Sequence, residues 1–182
     1  ATRNQLASAY RSVGRVSEAI EEFERVLTDE RRVLGEEHPA TLATRNQLAS
    51  AYRSVGRVSE AIEEFERVLT DERWVLGEGH PDTLATRHNL ALAYQAAGRV
   101  GEAIEEFERV LSDRRRVLDE DHPDTLATRH NLALAYQAAG RVSEAIEEFE
   151  RVLSDRRRVL DEDHPDTLAT RDHLKEARKQ AR

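Results

Sequence analysis

A chain of 182 residues is long enough for one ordinary domain or one short repeat array. Charged residues reach 35% and aromatics only 5%, a thin stock for one large globular core but one that suits long amphipathic helices. The absence of cysteine excludes disulfides and thiolate zinc sites, and a formal charge of −8 argues against nucleic acid, whose phosphates need a basic stripe.

No run of residues approaches the roughly 20 apolar positions of a membrane span, and Ala1-Thr2-Arg3-Asn4 does not lead into the apolar core of a signal peptide. Neither membrane nor nucleic acid is therefore an expected partner, and the expected location is the cytoplasm. The chain opens without methionine and partway through a repeat, as an excerpt of a longer array is expected to.

Ala-Thr-Arg recurs at Ala1, Ala43, Ala85, Ala127 and Ala169, in steps of 42. Four repeats follow, 1–42, 43–84, 85–126 and 127–168, and then a segment 169–182, all expected to belong to one array. Repeats one and two differ at three positions, Arg32/Trp74, Glu37/Gly79 and Ala40/Asp82. Repeats three and four differ only at Gly101/Ser143, whereas repeats two and three differ at twelve positions. The repeats carry −2, −3, −3 and −3 in turn, and the closing segment +3.

Repeat one starts inside its first helical pattern and lacks the His-Pro pair that opens the others. The pattern is clearest in repeat three. There a first helix is predicted from about Asp82 to Ala97, with Leu84, Leu90, Ala91, Ala93 and Tyr94 near three- and four-residue spacing. Pro81 suits its first turn and Gly98 the position just beyond its end. A second helix is predicted from about Gly101 to Leu118, with Val100, Ala103, Ile104, Phe107, Val110, Leu111, Val117 and Leu118 along one side. Glu102, Glu105 and Glu106 crowd its positive end and Arg114, Arg115 and Arg116 its negative end. Those arginines, and Arg156–Arg158 in repeat four, are expected on a solvated face. Two helices cannot bury their apolar stripes alone, so neighbouring repeats must stack. In the closing segment Lys175 stands where Ala49 and Ala133 stand, and Arg178 replaces Tyr52, Tyr94 and Tyr136, while Leu174 and Ala177 keep the inward contacts. Residues 169–182 are thus predicted to form a solvating cap helix; the N-terminal end has no such cap.

Repeat two reads Arg45-x-x-Leu48-Ala49-x-x-Tyr52, then Gly56, Ala61-x-x-x-Phe65 and Pro81, and the same run recurs in all four repeats. It resembles the tetratricopeptide repeat, whose usual aromatic at the first position is here Arg3, Arg45, Arg87 or Arg129, and whose usual period of about 34 is exceeded. The run Arg-Val-Leu-Gly-x-x-His-Pro-x-Thr-Leu looks like the long repeats of kinesin light chains and of bacterial arrays, and the near-identity of the units is also that of a consensus design. The resemblance implies an all-α fold, a right-handed superhelical α-solenoid of stacked helix-turn-helix repeats with a C-terminal capping helix. It also implies a non-enzymatic scaffold whose first helices line a concave groove for an extended peptide or a partner protein.

Carried over, that face is Asn4, Gln5, Ser8, Arg11 and Ser12 in repeat one and Asn46, Gln47, Ser50, Arg53 and Ser54 in repeat two. In repeat three it is His88, Asn89, Leu92, Gln95 and Ala96, and in repeat four His130, Asn131, Leu134, Gln137 and Ala138. Five of the twelve differences between repeats two and three fall on these positions, while Leu48/Leu90, Tyr52/Tyr94, Ala61/Ala103 and Phe65/Phe107 do not differ. Free drift of exposed positions would leave the same trace. Arg11 and Arg53 can meet acidic groups, and Leu92 and Leu134 aliphatic ones, so the expected partner is an acidic peptide with aliphatic anchors. The alternative is a structural array, self-associating weakly through the uncapped N-terminal end.

His38, His80, His122 and His164 each precede proline and invite a metal reading. The nearest pair, His80 and His88, is eight residues apart, about 12 Å along a helix, so turn histidines are expected and no metal. Identical environments in every copy do not push pKa values apart as an active site needs, so no enzyme and no cofactor is expected. Trp74, the one tryptophan, replaces an arginine found in the other repeats and is expected to be a drifted surface position.

Overall fold

The computed structural model describes residues 3–181; Ala1, Thr2, Arg182 and the side chain of Arg3 lie outside the described residues, and with them the start of the edge expected to self-associate. The described residues are helical with no strand. One compact unit, Ala1–Ala97, holds α1 (Arg3–Ser12), α2 (Val16–Val33), α3 (Pro39–Ser54), α4 (Val58–Val75) and α5 (Pro81–Ala96). The other, Gly98–Arg182, holds α6 (Val100–Val117), α7 (Pro123–Ala138), α8 (Val142–Val159) and α9 (Pro165–Gln180). In each unit consecutive helices pack on one another, and alternate first helices also touch, α3 with α5 and α7 with α9. This is the all-α helix-pair stacking of a solenoid. The cap helix begins at Pro165, because it carries the same His-Pro start as the interior first helices.

The core explains why one repeat is not enough. Phe65 is fully buried among Ala49 of its own first helix, Ala61 and Leu69 of its second, and Leu90 and Ala93 of the next repeat. Phe149 is held in the same way by Ala133, Ala145, Leu153, Leu174 and Ala177. Alanine at the helix crossings lets the backbones approach, and the phenyl ring fills the space that opens beside them. The outer side of α9 follows the predicted division: Leu174 and Ala177 are buried, Lys175 and Arg178 exposed.

Local signals set the helix ends. His38, His80, His122 and His164 occupy N-cap positions in extended backbone, and Nδ1 of each accepts the N–H two residues on, at 3.2 Å. This is the work usually done by Ser, Thr, Asp or Asn, followed here by proline at the first helical position. The four histidines are structural, as their spacing predicts. His122→Ala is expected to cost about 0.5–2 kcal/mol in urea denaturation, and an unchanged midpoint would remove the capping role. At the other end of α3, Gly56 (φ +80°) lets Arg57 N–H reach back to Tyr52 O at 2.9 Å, a left-handed closure that glycine adopts without strain. The guanidinium of Arg57 then lies 4.0 Å from the centre of the Tyr52 ring.

Candidate binding face of the first helices

The positions singled out on each first helix fall at i, i+1, i+4, i+7 and i+8, one face of a helix. Gln5, Arg11, Ser12, Ser54, Ala96 and Ala138 are exposed. Asn4, Ser8, Asn46, Gln47, Ser50, Arg53, His88, Asn89, Leu92, Gln95, Asn131, Leu134 and Gln137 are half-buried. Much of that partial burial comes from one row bonding to the next. Asn4 Nδ2 donates to Thr44 Oγ1 (3.0 Å) and Glu30 Oε1 (3.2 Å), Ser8 Oγ to Gln47 Oε1 (3.1 Å), and Asn89 Nδ2 to Asn46 Oδ1 (3.1 Å). Asn46 Nδ2 donates to Thr86, and Gln137 Nε2 to Gln180 Oε1 (3.0 Å). Amides chosen for a ligand are thus partly committed to holding neighbouring first helices in register.

Two members of the set stand apart. His130 is buried, only 8% exposed, with Nδ1 3.1 Å from Thr170 Oγ1 and its ring against Phe149 and His173. Burial, helped by Arg156 and His173, pulls its pKa down to about 3, so it remains neutral and acts as a packing residue beneath the face. Arg53 is the opposite case. Its Nε is buried without a hydrogen-bond partner, and burial together with the neighbouring charge of Arg11 lowers its pKa. Two guanidiniums close to each other, one of them incompletely bonded, leave an electrostatic deficit that an anion would relieve.

Beneath the face lies a buried ionic layer. Arg45, 3% exposed, donates Nε–H to Glu64 Oε1 (2.6 Å) and Nη1–H to Asp71 Oδ2 (2.7 Å), both on α4. Arg129 repeats the arrangement with Glu148 and Asp155 on α8, each at 2.6 Å. Towards the C-terminal ends of α6 and α8, Arg114 and Arg156 are buried too. Arg114 Nη1 donates to Asp124 O (2.6 Å) and Thr128 Oγ1 (2.5 Å), and Arg156 Nη1 to Asp166 O (2.9 Å) and Thr170 Oγ1 (2.6 Å). The expectation that both three-arginine runs are solvated is corrected here: Arg115, Arg116, Arg157 and Arg158 are exposed, but the first member of each run points inward. The signal was present, because Arg114 and Arg156 sit seven residues after the buried Phe107 and Phe149, two turns along the same stripe.

In repeat two that inward position is Glu72, 2% exposed, lining a cleft of about 180 Å3 with Asn46, Gln47, Leu76 and Asp82. Burial, opposed by a hydrogen bond from Thr86 and reinforced by Asp82, raises its carboxyl to about 7. Sequence reasoning missed this group although the same signal marked it: Glu72 lies seven residues after the buried Phe65, on the stripe that carries Arg114 and Arg156 in the later repeats. Trp74 is 84% exposed, in keeping with a surface position.

The sequence profile of the family described as "Tetratricopeptide repeat" matches residues 1–70, 82–158 and 124–182. The chain belongs to the tetratricopeptide repeat family. Among curated proteins none matches its sequence. Two solved structures from Podosopora anserina, of a kinesin light chain protein with nearly identical TPR-like repeats and of a variant of that protein, are similar to it. The first is 40% identical, covering 98% of this chain and 85% of the other, with a TM-score of 0.83. The variant is 39% identical over 98% and 84%, with a TM-score of 0.84. BtubC (BKLC) from P. vanneervenii, 21% identical over 97% of this chain and 70% of its own, shares the fold at a TM-score of 0.83. The tetratricopeptide repeat fold mediates protein–protein interaction, and its members are typically non-enzymatic scaffolds. No described helix of this tetratricopeptide array is long and apolar enough to cross a membrane. What distinguishes the array within the family pattern is the arginine at the first motif position. A buried guanidinium held by two carboxylates occupies the place of an aromatic ring, so directional bonds join the first and second helices where packing area usually does.

Proposed function

We propose that this array is a non-enzymatic cytoplasmic scaffold that binds an extended acidic segment of a partner protein along its first helices. The single observation that carries the reading is the Arg11/Arg53 pair, in which a half-buried guanidinium lacks a bond at Nε beside a second, exposed cation. A carboxylate placed between them would complete the bonding of Arg53 and neutralise the repulsion, a charge-assisted interaction about twice as strong as a neutral one. The rest of the row in the same unit, Gln47, Ser50, Asn89, Leu92 and Gln95, offers amide, hydroxyl and aliphatic contacts to that segment.

Selection from a random peptide library tests this. Peptides enriched on the chain are expected to be acidic, to bind more weakly as salt rises, and to lose at least about tenfold in affinity on Arg11→Ala/Arg53→Ala. Neither arginine is part of the buried ionic layer, so the double variant should keep its helical circular dichroism. Enriched peptides that bind the double variant unchanged would displace this reading.

A further inference from the structure

Repeat two carries an acid where the later repeats carry a base. Arg114 and Arg156 turn inward, and each guanidinium meets a backbone carbonyl and a threonine hydroxyl at the start of the next first helix. Glu72 holds the same place on α4. It is 2% exposed, and its Oε2 has no hydrogen-bond partner. The charged groups around it do not compensate it. Asp82 on α5 and Asp71 on α4 repel its charge, while Arg45 on α3 is already engaged by Glu64 and Asp71. A buried carboxylate in this position is left wanting a cation that the later repeats supply from their own chain.

Glu72 lines the cleft of about 180 Å3 that α3, α4 and α5 form inside the unit Ala1–Ala97. Pro39, Ala43, Leu76 and Ala85 give the cleft apolar walls, and Asp82 is its second acid. Apolar walls suit an unbranched aliphatic stem, and two acids suit an ammonium at its tip. Lysine combines the two, laying its methylenes on apolar surface and carrying a compact charge with three N–H donors. The volume lies below the about 300 Å3 at which small-molecule pockets begin, so the cleft is sized for one side chain. A metal ion fits less well, because among the described residues no group of three or more His, Cys, Asp or Glu could hold one.

We propose that the α3/α4/α5 cleft takes a lysine side chain of the segment bound along the first helices, its ammonium pairing with Glu72 and Asp82. The carrier of the lysine rests on the first-helix reading; the chemistry of the cleft does not. Asn46, on the wall of the cleft, and Arg53 are seven residues apart on one face of α3. That is about 10 Å along the helix, the span of about three extended residues. The lysine is therefore expected about three residues from the acid that meets Arg53.

The first probe is Nα-acetyl-lysine N-methylamide, titrated into the full chain and followed through the backbone amide signals of Ala43 and Ala85. Saturable binding is expected at pH 8. It should fall at least about tenfold for the norleucine analogue and on Glu72→Gln. That variant removes an uncompensated buried charge, so the fold persists. Glu72→Arg, which gives repeat two the inward base of the later repeats, is expected to abolish binding and keep helical circular dichroism. Binding should also weaken about tenfold from pH 8 to pH 6, because a carboxyl that titrates near 7 must first lose its proton. Absence of binding, or binding indifferent to norleucine or to Glu72→Gln, overturns the proposal.

The second probe is the labelled peptide Ser-Glu-Gly-Ser-Lys-Ser, with its reversed sequence. Replacing lysine by norleucine should cost at least about tenfold on the parent chain and nothing on Glu72→Gln. Putrescine bound more tightly than either peptide would assign the cleft to a free amine and overturn the segment as its source. Arg11→Ala/Arg53→Ala should weaken the peptides and leave the lysine amide unchanged. Peptides indifferent to that double variant, with the lysine amide still bound at Glu72, would mark failure of the first-helix reading and not of the cleft.

Discussion

Arg129→Ala is expected to destabilise the unit Gly98–Arg182 by about 3–5 kcal/mol, because it strands two carboxylates that the guanidinium now holds. Both bonds are 2.6 Å, Arg129 is 4% exposed and Glu148 8%. Burial by itself would lower the pKa of Arg129. The hydrogen bonds to Glu148 and Asp155 more than offset that burial, and the net shift is upward. The loss should appear as a lower urea midpoint and as faster amide exchange in α7 and α8. Arg171→Ala supplies the contrast: the same residue type at the same repeat position, but 39% exposed and unclamped, is expected to change stability by no more than about 0.5 kcal/mol. Equal effects at the two sites would show that the clamp contributes nothing beyond the arginine stem.

Glu72→Gln is expected to stabilise the unit Ala1–Ala97 by about 3 kcal/mol at pH 8 and by almost nothing near pH 4.5. The folded carboxyl titrates near 7 against 4.5 for an unperturbed one, and each unit of difference corresponds to about 1.4 kcal/mol. The sign follows from linkage. Below pH 4.5 the group is protonated in both states and carries no penalty. Between about 4.5 and 7 only the unfolded chain ionises, so stability falls as pH rises, and above 7 the full penalty persists. The groups around it explain the direction. Burial dominates, Asp82 and Asp71 add repulsion, Thr86 gives one hydrogen bond, and Arg45 helps little because Glu64 and Asp71 already engage it. Midpoints of Glu72→Gln and the parent chain measured from pH 4.5 to 8 should diverge through that window; parallel curves would place the Glu72 pKa in the ordinary carboxylate range.

Much of the architecture was legible from residue spacing. The helices predicted from Asp82 to Ala97 and from Gly101 to Leu118 are α5, Pro81–Ala96, and α6, Val100–Val117. The ends of α5 are marked by local chemistry, His80 and Pro81 before and Gly98 after, which does not wait for tertiary contacts. Leu174 and Ala177 inward with Lys175 and Arg178 outward on α9 were likewise readable from register alone. The candidate face was legible only as positions. That Asn4, Asn46, Asn89 and Gln137 bond across helices, and that His130 is buried against Phe149 and His173, depends on which helix neighbours which.

By itself, then, the sequence determined the helices, their caps, the period and the apolar stripe, because each rests on interactions within a few residues of chain. Tertiary structure alone decided the state of the charges. Arg45, Arg129 and Arg171 share one motif position, and Glu72, Arg114 and Arg156 another, yet they differ in burial, bonding or proton affinity. The physical reason is that the energy of a charge depends on the water it loses and the partners it gains, and both are set by helices many residues away.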